Sequence, residues 1–289
     1  MISLNGYKFS EARYGSATIR RAVAEHLPPL VLLDEGGQSL AENAALCARA
    51  LEVGSSFSNL WAEEPIGLVE VDGRQSLAFA DNRITRLDGL LGRPMDISHF
   101  LSVASAVTEA VAQMHRSGHV HRALRPWHLF LRPDNNVGIV GLGRVQGLSS
   151  DIEHDVLEAS ADDLAYVAPE QIRRPARSDE HSDLYALGII FYEMLAARRP
   201  FDGGDPLEWA HAHTALTALP PSTLRPLIPS AVSDLIMRLL SKDPEDRFQS
   251  AGSLREALKR LASAWLRPGI ERIGAHASAR AWPGRAARA

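Results

Sequence analysis

The sequence predicts an α+β protein with short strands in its N-terminal part and helices over most of the rest. Two observations lead to this prediction. In the first 84 residues, an apolar run at 30–33 and two stretches that meet at Asp72-Gly73 are typical of a buried strand and a hairpin. From Asp96 to Gly118, apolar residues recur at helical spacing, and 231–240 and 250–264 are expected to be helices as well.

The elements before residue 84 are predicted from local pattern. Tyr7 to Val23 alternates loosely, which favours two strands joined at Tyr14-Gly15-Ser16. The apolar run that follows stops at Glu35-Gly36-Gly37, as a buried strand would. An alanine- and leucine-rich stretch from Ser39 to Val53 predicts a helix. The two hairpin strands are expected at 67–71 and 76–80.

The long helix leads into a loop and a second hairpin. Asp96 is the predicted N-cap of this helix, and Gly118 is the residue expected to end it. Beyond it, the pattern predicts a short strand at 129–131, a turn formed by Asp134, and a second strand at 137–140. The apolar face of the helix is expected to contain Ile97, Leu101, Ala104, Val107, Val111 and Met114.

Length and composition are those of a globular chain. A chain of 289 residues with 45% hydrophobic content is sufficient for one two-lobed domain or two small ones. The net charge of −4 gives no indication of a nucleic-acid partner, and the single cysteine, Cys47, excludes an intrachain disulfide. The longest apolar run, 186–195, is too short to span a bilayer, and residues 1–10 lack a signal-peptide core. We therefore expect a cytoplasmic protein without a membrane span.

Residues 119–145 resemble the catalytic core of protein kinases. A family member has His-Arg-Asp-Leu-Lys-Pro-x-x-Asn, a short hairpin, and then Asp-Phe-Gly. His121, Arg122, Leu124 and Pro126 match this pattern.

Two later segments extend the resemblance. Residues 166–170 match the family's Ala-Pro-Glu signature, and 181–201 is similar to its buried central helix. In the family, the aspartate at the position of Asp183 holds the backbone of the His-Arg-Asp loop, and an arginine corresponding to Arg247 pairs with the glutamate corresponding to Glu170. The resemblance thus implies structural roles for His121, Arg122, Glu170, Asp183 and Arg247.

The resemblance covers about Tyr7 to Leu266 and implies a two-lobed protein kinase-like fold. We expect a small β-rich N-lobe over residues 1–84, a larger helical C-lobe over 85–266, and a disordered Ala- and Arg-rich tail over 267–289. Residues 171–258 most resemble the bacterial Ser/Thr-kinase-like domains that head hybrid sensor histidine kinases.

The residues that perform the family's chemistry are replaced. Ala123 stands in place of the catalytic aspartate, Arg125 in place of lysine, His128 in place of the metal-binding asparagine, and Gly141 in place of the aspartate of Asp-Phe-Gly. Alanine cannot accept a proton, and magnesium prefers oxygen ligands, which neither glycine nor histidine side chains offer. Because kinases depend on a positioned base and metal ions, the resemblance implies no intact catalytic residue and no metal site.

The lysine that binds the nucleotide phosphates is also missing. When Ile19–Ala22 is aligned with the family's second strand, this lysine falls at about Leu33, and no lysine occurs between Lys8 and Lys242. Glu42, on the predicted helix, corresponds to the glutamate that pairs with the lysine. Without that partner, Glu42 is expected to be a solvated carboxylate.

The adenine site is predicted to be narrow. The family's small alanine in the third strand appears as Val31, and the leucine beneath the adenine appears as Phe130. Leu33, Asp81 and Asn82 would line a weak or absent ATP site. We therefore expect no cofactor.

Two functional hypotheses follow from the resemblance. The first is a pseudokinase that acts as a regulatory or protein-binding module and recognises a protein partner in a signalling pathway. The alternative is an active or weakly active ATP-dependent Ser/Thr protein kinase with non-standard catalytic residues, which would require ATP and Mg²⁺.

Two further features leave alternatives open. The closely spaced His115, His119 and His121 favour either a metal site or, by the resemblance, a packing role for His121. The acidic stretch 146–163 is either a solvated loop or a segment that docks a carboxylate onto Arg122.

Overall fold

The computed structural model describes residues 4–14, 17–37, 39–58, 60–147, 161–173 and 179–265. They form a strand-rich N-terminal lobe and a larger helical C-terminal lobe, which confirms the predicted two-lobed α+β fold. The predicted tail and residues 148–160 of the acidic stretch lie outside the described residues. None of the helices in these ranges is long and apolar enough to cross a bilayer.

The bounds of the elements are as follows. The strands are β1 Lys8–Tyr14, β2 Ala17–Val23, β3 Leu30–Asp34, β4 Pro65–Val71, β5 Arg74–Ala80, β6 Thr85–Arg86, β7 His119–Val120, β8 Leu129–Leu131, β9 Val137–Ile139 and β10 Gln146–Gly147. The helices are α1 Leu40–Phe57, α2 Ile97–Arg116, α3 Ala161–Leu164, α4 Pro169–Arg173, α5 Glu180–Ala196, α6 Pro206–Ala215, α7 Pro221–Leu224, α8 Ser230–Leu239 and α9 Ala251–Trp265.

An antiparallel sheet in the order β1-β2-β3-β5-β4 builds the N-terminal lobe. Asp72 and Gly73, both with positive φ, form the two-residue turn between β4 and β5, as is usual for tight hairpins. Alternate side chains enter two buried clusters on opposite faces. The inner face, towards α1 and the C-terminal lobe, carries Ile19, Val31, Leu33, Leu77 and Phe79, and the outer face carries Ala22, Leu30, Leu32, Val69 and Ala78.

Helix α1 packs on the inner face and ends four residues later than the sequence predicts. Ser39 caps it, since its Oγ accepts a hydrogen bond from Glu42 N. The helix continues through Gly54-Ser55-Ser56 to Phe57, although these residues are weak helix formers. Phe57 stacks on Trp61 with ring centroids 5.2 Å apart. Tertiary packing therefore extends the helix where propensity would end it.

The segment after α1 joins the two lobes by backbone pairing. Ile139 N of β9 donates to Trp61 O at 2.9 Å, and Glu63 N donates to Ile139 O at 3.0 Å. Trp61 is wholly buried, and its Nε1 donates to Ser117 Oγ at 3.0 Å, just beyond α2. One hydrophobic core therefore extends through both lobes.

Helices α2 and α5 form the centre of the C-terminal lobe. Asp96 caps α2 by accepting a hydrogen bond from His99 N, and Gly118, with φ +78°, follows its end, as predicted. Helix α5 is buried along most of its length. Helix α9 covers α2, and its Arg255 pairs with Glu109 at 2.9 Å. This packing fixes the loop between α2 and β8, where the candidate site lies.

Candidate functional site

The loop that contains His121 and Arg122 is held by a buried carboxylate of α5. Asp183 accepts hydrogen bonds from His121 N at 2.9 Å and Arg122 N at 2.8 Å, and its Oδ2 lies 2.9 Å from His115 Nε2. Arg122 has a φ of +62°, which costs energy for a residue with a side chain. The two bonds to Asp183 offset that cost, so the backbone of the loop has a defined shape.

His128 and Gly141 lie against each other in the interior of the candidate site. The His128 ring stacks on His121 with centroids 5.1 Å apart, and its Nδ1 donates to Ala123 O at 2.9 Å. Gly141 has a φ of +79°, and a β-carbon on it would lie 2.6 Å from His128 Cδ2. The imidazole therefore occupies the volume that a side chain at position 141 would need.

The stacked imidazoles are neutral at physiological pH. Burial lowers the pKa of His121, and it lowers that of His128 well below its usual value. The nearby charge of Arg125 acts in the same direction on both rings. His121 Nε2 donates to Val140 O at 3.0 Å, which fixes that ring as well. Two uncharged rings thus occupy the centre of the site.

Arg125 is bound within the protein by an ion pair. Its Nη2 lies 3.1 Å from Asp163 Oδ1, and both side chains are largely buried. Its Nη1 donates to Ala123 O at 3.0 Å. Asp163 therefore neutralises the charge of Arg125. Sequence analysis placed Asp163 only within the acidic stretch, and no local pattern pointed to its partner.

Residues 142–145, which follow Gly141, are bound to helix α1 and to Glu35, the residue after β3. Gly143 N donates to Glu35 Oε2 at 3.3 Å, and Arg49 donates to Val145 O at 2.7 Å and 3.0 Å. Arg144 Nη2 lies 3.6 Å from Glu42 Oε1. Glu42 keeps 40% of its side chain exposed, as expected of a solvated carboxylate, but this arginine from a distant segment also reaches it.

A polar cluster beside Leu33 links β3 to α1. Leu33 itself is wholly buried on the inner face of the sheet. The next residue, Asp34, accepts hydrogen bonds from Asn43 Nδ2 at 2.7 Å and from Arg74 Nε at 2.6 Å. Sequence analysis missed this cluster, although a charged residue at the end of an apolar strand was a signal for it.

The side chains at the predicted adenine site pack against one another. Val31 pairs across the sheet with Phe79, and the Phe79 and Phe130 rings meet edge to face with centroids 5.8 Å apart. All three are buried, and Phe130 is wholly so. At the predicted hinge, Asp81 N donates to Pro29 O at 2.9 Å, while the next residue, Asn82, is exposed. Asp81 and Asn82 directly follow β5, the strand that carries Phe79.

Glu170 and Arg247 form a bidentate ion pair. Arg247 Nη1 and Nη2 each lie 2.8 Å from an oxygen of Glu170, and Arg247 is fully buried. Arg247 also donates to Ser241 O and His181 O, at 2.8 Å and 2.9 Å. Burial acts to raise the pKa of Glu170, but the hydrogen bonds and charge of Arg247 outweigh it and the pKa is lowered.

The three closely spaced histidines have separate partners. His115 faces Asp183, His121 faces Val140 O, and His119 Nδ1 lies 2.9 Å from Ser117 O. Within the described part of the chain, no group of three or more His, Cys, Asp or Glu residues is arranged to hold a metal ion. The histidines contribute to packing and to the shape of the loop.

The protein has two lobes joined by backbone pairing, and an aspartate of the buried central helix α5 holds the loop of His121 and Arg122. These features define the kinase-like class of protein. Residues 82–260, more than half of the chain, match the family model of the protein kinase domain. The chain belongs to this family.

Bacterial relatives agree with this assignment. The chain is 32% identical over 162 residues to a probable serine/threonine-protein kinase of Clostridium perfringens, over 56% of this chain and 23% of that protein. It is 33% identical over 180 residues to serine/threonine-protein kinase Pkn1 of Myxococcus xanthus, which covers 60% of this chain and 25% of Pkn1. Identity to serine/threonine-protein kinase PknB of Mycobacterium leprae is 28% over 170 residues, 59% of this chain and 27% of PknB. The matched part spans about a quarter of each relative. The resemblance to hybrid sensor histidine kinases stays a prediction.

Proposed function

We propose that this chain is a pseudokinase: a Ser/Thr protein kinase-like domain that transfers no phosphate and acts as a regulatory, protein-binding module in signalling. The observation on which this rests is the contact between His128 and Gly141. The imidazole fills the volume where a kinase would place the carboxylate that binds its metal ion. We place the protein in the cytoplasm, with a protein as its partner.

The residues present do not fit magnesium. Mg²⁺ requires oxygen ligands in near-octahedral geometry, and the cleft offers a glycine and a neutral imidazole at the two family positions. Ala123 supplies no base, and a positioned base typically contributes ~10²–10⁴ in rate. Arg125, which stands in place of the family's lysine, is already paired with Asp163. We infer that neither ATP nor Mg²⁺ serves as a cofactor.

Contacts within the chain join β3, α1 and the residues after Gly141. Asp34 and Asn43 join β3 to α1, Arg49 binds Val145 O, and Glu35 accepts from Gly143 N. These bonds fix α1 against the residues after Gly141 without any ligand. A domain fixed in this way presents the same surface to its partner at all times, as expected of a binding module.

A phosphotransfer assay tests this function. The purified protein is incubated with labelled ATP and either Mg²⁺ or Mn²⁺, alone and with general protein substrates. We expect no incorporation above that of an Arg125→Ala variant, which serves as the matched control. Incorporation by the unmutated chain that is lost in Arg125→Ala would overturn the proposal and favour the alternative, an active Ser/Thr kinase with non-standard residues.

A further inference from the structure

Strand β1 has a free edge. It is the first strand of the N-terminal sheet, and in the described part of the chain β2 is the strand that pairs with it. The opposite edge of the sheet, β4, begins at Pro65 and has an irregular register between Pro65 and Gly67, two features that hinder pairing with a further strand. Strand β1 contains no proline, and its register with β2 is regular. The sheet can therefore be extended at β1.

Alternate residues of β1 direct their backbone groups towards this free edge. Tyr14 of β1 pairs with Ala17 of β2, and because only two residues lie between them, these partners exchange both backbone hydrogen bonds. Hydrogen-bonded and non-hydrogen-bonded pairs alternate along an antiparallel ladder. The N–H and C=O groups of Phe9, Glu11 and Arg13 therefore point away from β2, towards the free edge.

The charges on this edge are complementary to those of a second copy. Glu11 and Arg13 project from the same face of the sheet, because they are two residues apart in one strand. Glu11 binds Arg13 at 2.7 Å and the buried Arg20 at 2.8 Å, and the Arg13 side chain is 78% exposed. When two β1 strands lie antiparallel about a twofold axis at Ala12, Glu11 of each copy is opposite Arg13 of the other. Arg13 can then bind Glu11 of the other copy, while Arg20 still binds Glu11 of its own.

We propose that β1 is a dimerisation surface, at which two copies of this chain pair their edge strands antiparallel about Ala12. In this register Glu11 of each copy and Arg13 of the other exchange both backbone hydrogen bonds, and the two Ala12 residues meet as a non-hydrogen-bonded pair. The Cα atoms of such a pair are about 4.5 Å apart, and the small side chain of alanine fits this close approach. The sheets of the two N-terminal lobes become one continuous sheet.

Charge variants of the edge test this proposal on the full chain. One short strand from each copy gives a small interface, so we expect weak dimers, measured by sedimentation velocity at up to about 0.5 mM protein. Glu11→Arg and Arg13→Glu each turn the two attractive cross-strand pairs into repulsive ones, and each variant should dimerise about tenfold or more weakly than the unmutated chain. An equimolar mixture of the two variants places arginine opposite glutamate again, so association should recover to within about threefold. Mixing does not relieve a folding defect, so recovery identifies the pairing.

A disulfide across the twofold axis tests the register. Ala12→Cys places two thiols opposite each other, within the Cα distance that a disulfide bridges, whereas Ser10→Cys places them about four residues apart along the strands. Under mild oxidation, disulfide-linked dimers of Ala12→Cys should form about tenfold or more faster than those of Ser10→Cys, the matched control. The unmutated chain, whose Cys47 is buried, is the blank.

Three outcomes would overturn the dimer at β1. The first is an unmutated chain that stays monomeric at the highest concentration measured. The second is self-association that the charge variants leave unchanged, because another surface would then hold the copies together. The third is an equal rate of disulfide formation for Ala12→Cys and Ser10→Cys. None of these measurements involves phosphate transfer, so the inference is tested separately from the pseudokinase proposal.

Discussion

A β-carbon on Gly141 would approach Cδ2 of His128 to 2.6 Å, closer than side chains pack. Gly141 also has a φ of +79°, a conformation that side chains rarely adopt. The glycine and the histidine are therefore coupled, since the ring fills the space that the smaller residue leaves. Replacing either residue alone by the one usual in the family is therefore expected to lower the stability of the fold.

Gly141→Asp is expected to destabilise the protein by about 2–4 kcal/mol, from the clash with the imidazole and the strained φ. His128→Asn in the same chain should recover part of this loss, because the smaller side chain vacates the space. Urea unfolding of both single variants and the double variant measures the coupling, expected to be about 1 kcal/mol or more. Strictly additive effects would mean that the two residues do not compete for one volume.

Arg247→Ala should be strongly destabilising, by about 3–5 kcal/mol, because it leaves the buried Glu170 carboxylate without its partner. Three backbone carbonyls also lose a donor, those of Ser241, His181 and Lys242. The matched control is Arg255→Ala, which breaks the more exposed pair with Glu109 and should cost less than about 1 kcal/mol. Similar melting temperatures for the two variants would contradict the prediction.

The stability of the fold should decrease as pH rises towards neutrality, owing to Glu35. Burial raises the pKa of its carboxyl to about 7, against the opposing hydrogen bond from Gly143 N and the charge of Arg144. In the unfolded chain the pKa is about 4.3. Between these values the folded chain keeps a proton that the unfolded chain has released. The contribution is therefore fully present below pH ~4 and is lost as pH rises through 7, by up to about 3–4 kcal/mol.

Glu35→Gln tests this dependence. The variant should be more stable than the unmutated protein at pH 8, and its unfolding free energy should vary less between pH 4.5 and 7.5. Glu25→Gln, at an exposed position, is the control and should keep the original slope. If Glu35→Gln retained the full slope in urea unfolding, the titrating group would be another one.

ATP should bind more weakly than ~1 mM, which corresponds to only about 4 kcal/mol of binding free energy. Phe79 and Phe130 are in contact at the predicted adenine site, and Leu33 stands at about the position of the family's phosphate-binding lysine. Titration calorimetry with Mg-ATP measures this, and micromolar affinity would refute it. Phe130→Leu combined with Val31→Ala should widen the slot and still give no measurable binding, because the phosphates remain without partners.

The fold was predictable because its elements have strong local patterns. The capped helix α2 follows from its apolar spacing, Asp96 and Gly118, and the β4–β5 hairpin follows from Asp72-Gly73. The end of α1 was not predictable, since Phe57 is helical only because it packs on Trp61, a contact formed in the folded chain.

The candidate site was predictable only where the family motif places a residue. The motif gives the positions of Ala123, His128 and Gly141. It does not predict that the His128 ring fills the space left by the missing side chain at Gly141. The partners of Arg125 and Arg144 lie 38 and about a hundred residues away along the chain. A single sequence has no local signal for such pairs. Alignment with the family's second strand placed the missing phosphate-binding lysine at about Leu33. The polar link from β3 to α1 is made one residue later, by Asp34.

The pairing of Ile139 with Trp61 and Glu63 has a consequence for how the chain folds. Strand β9, at the edge of a three-stranded sheet, has backbone partners in the N-terminal lobe, and the intervening sequence must close a long loop before those bonds form. Neither lobe contains all of its own backbone pairing, so neither is an independent cooperative unit. We expect a single unfolding transition for the whole domain, and a fragment that ends near residue 84 should remain unfolded.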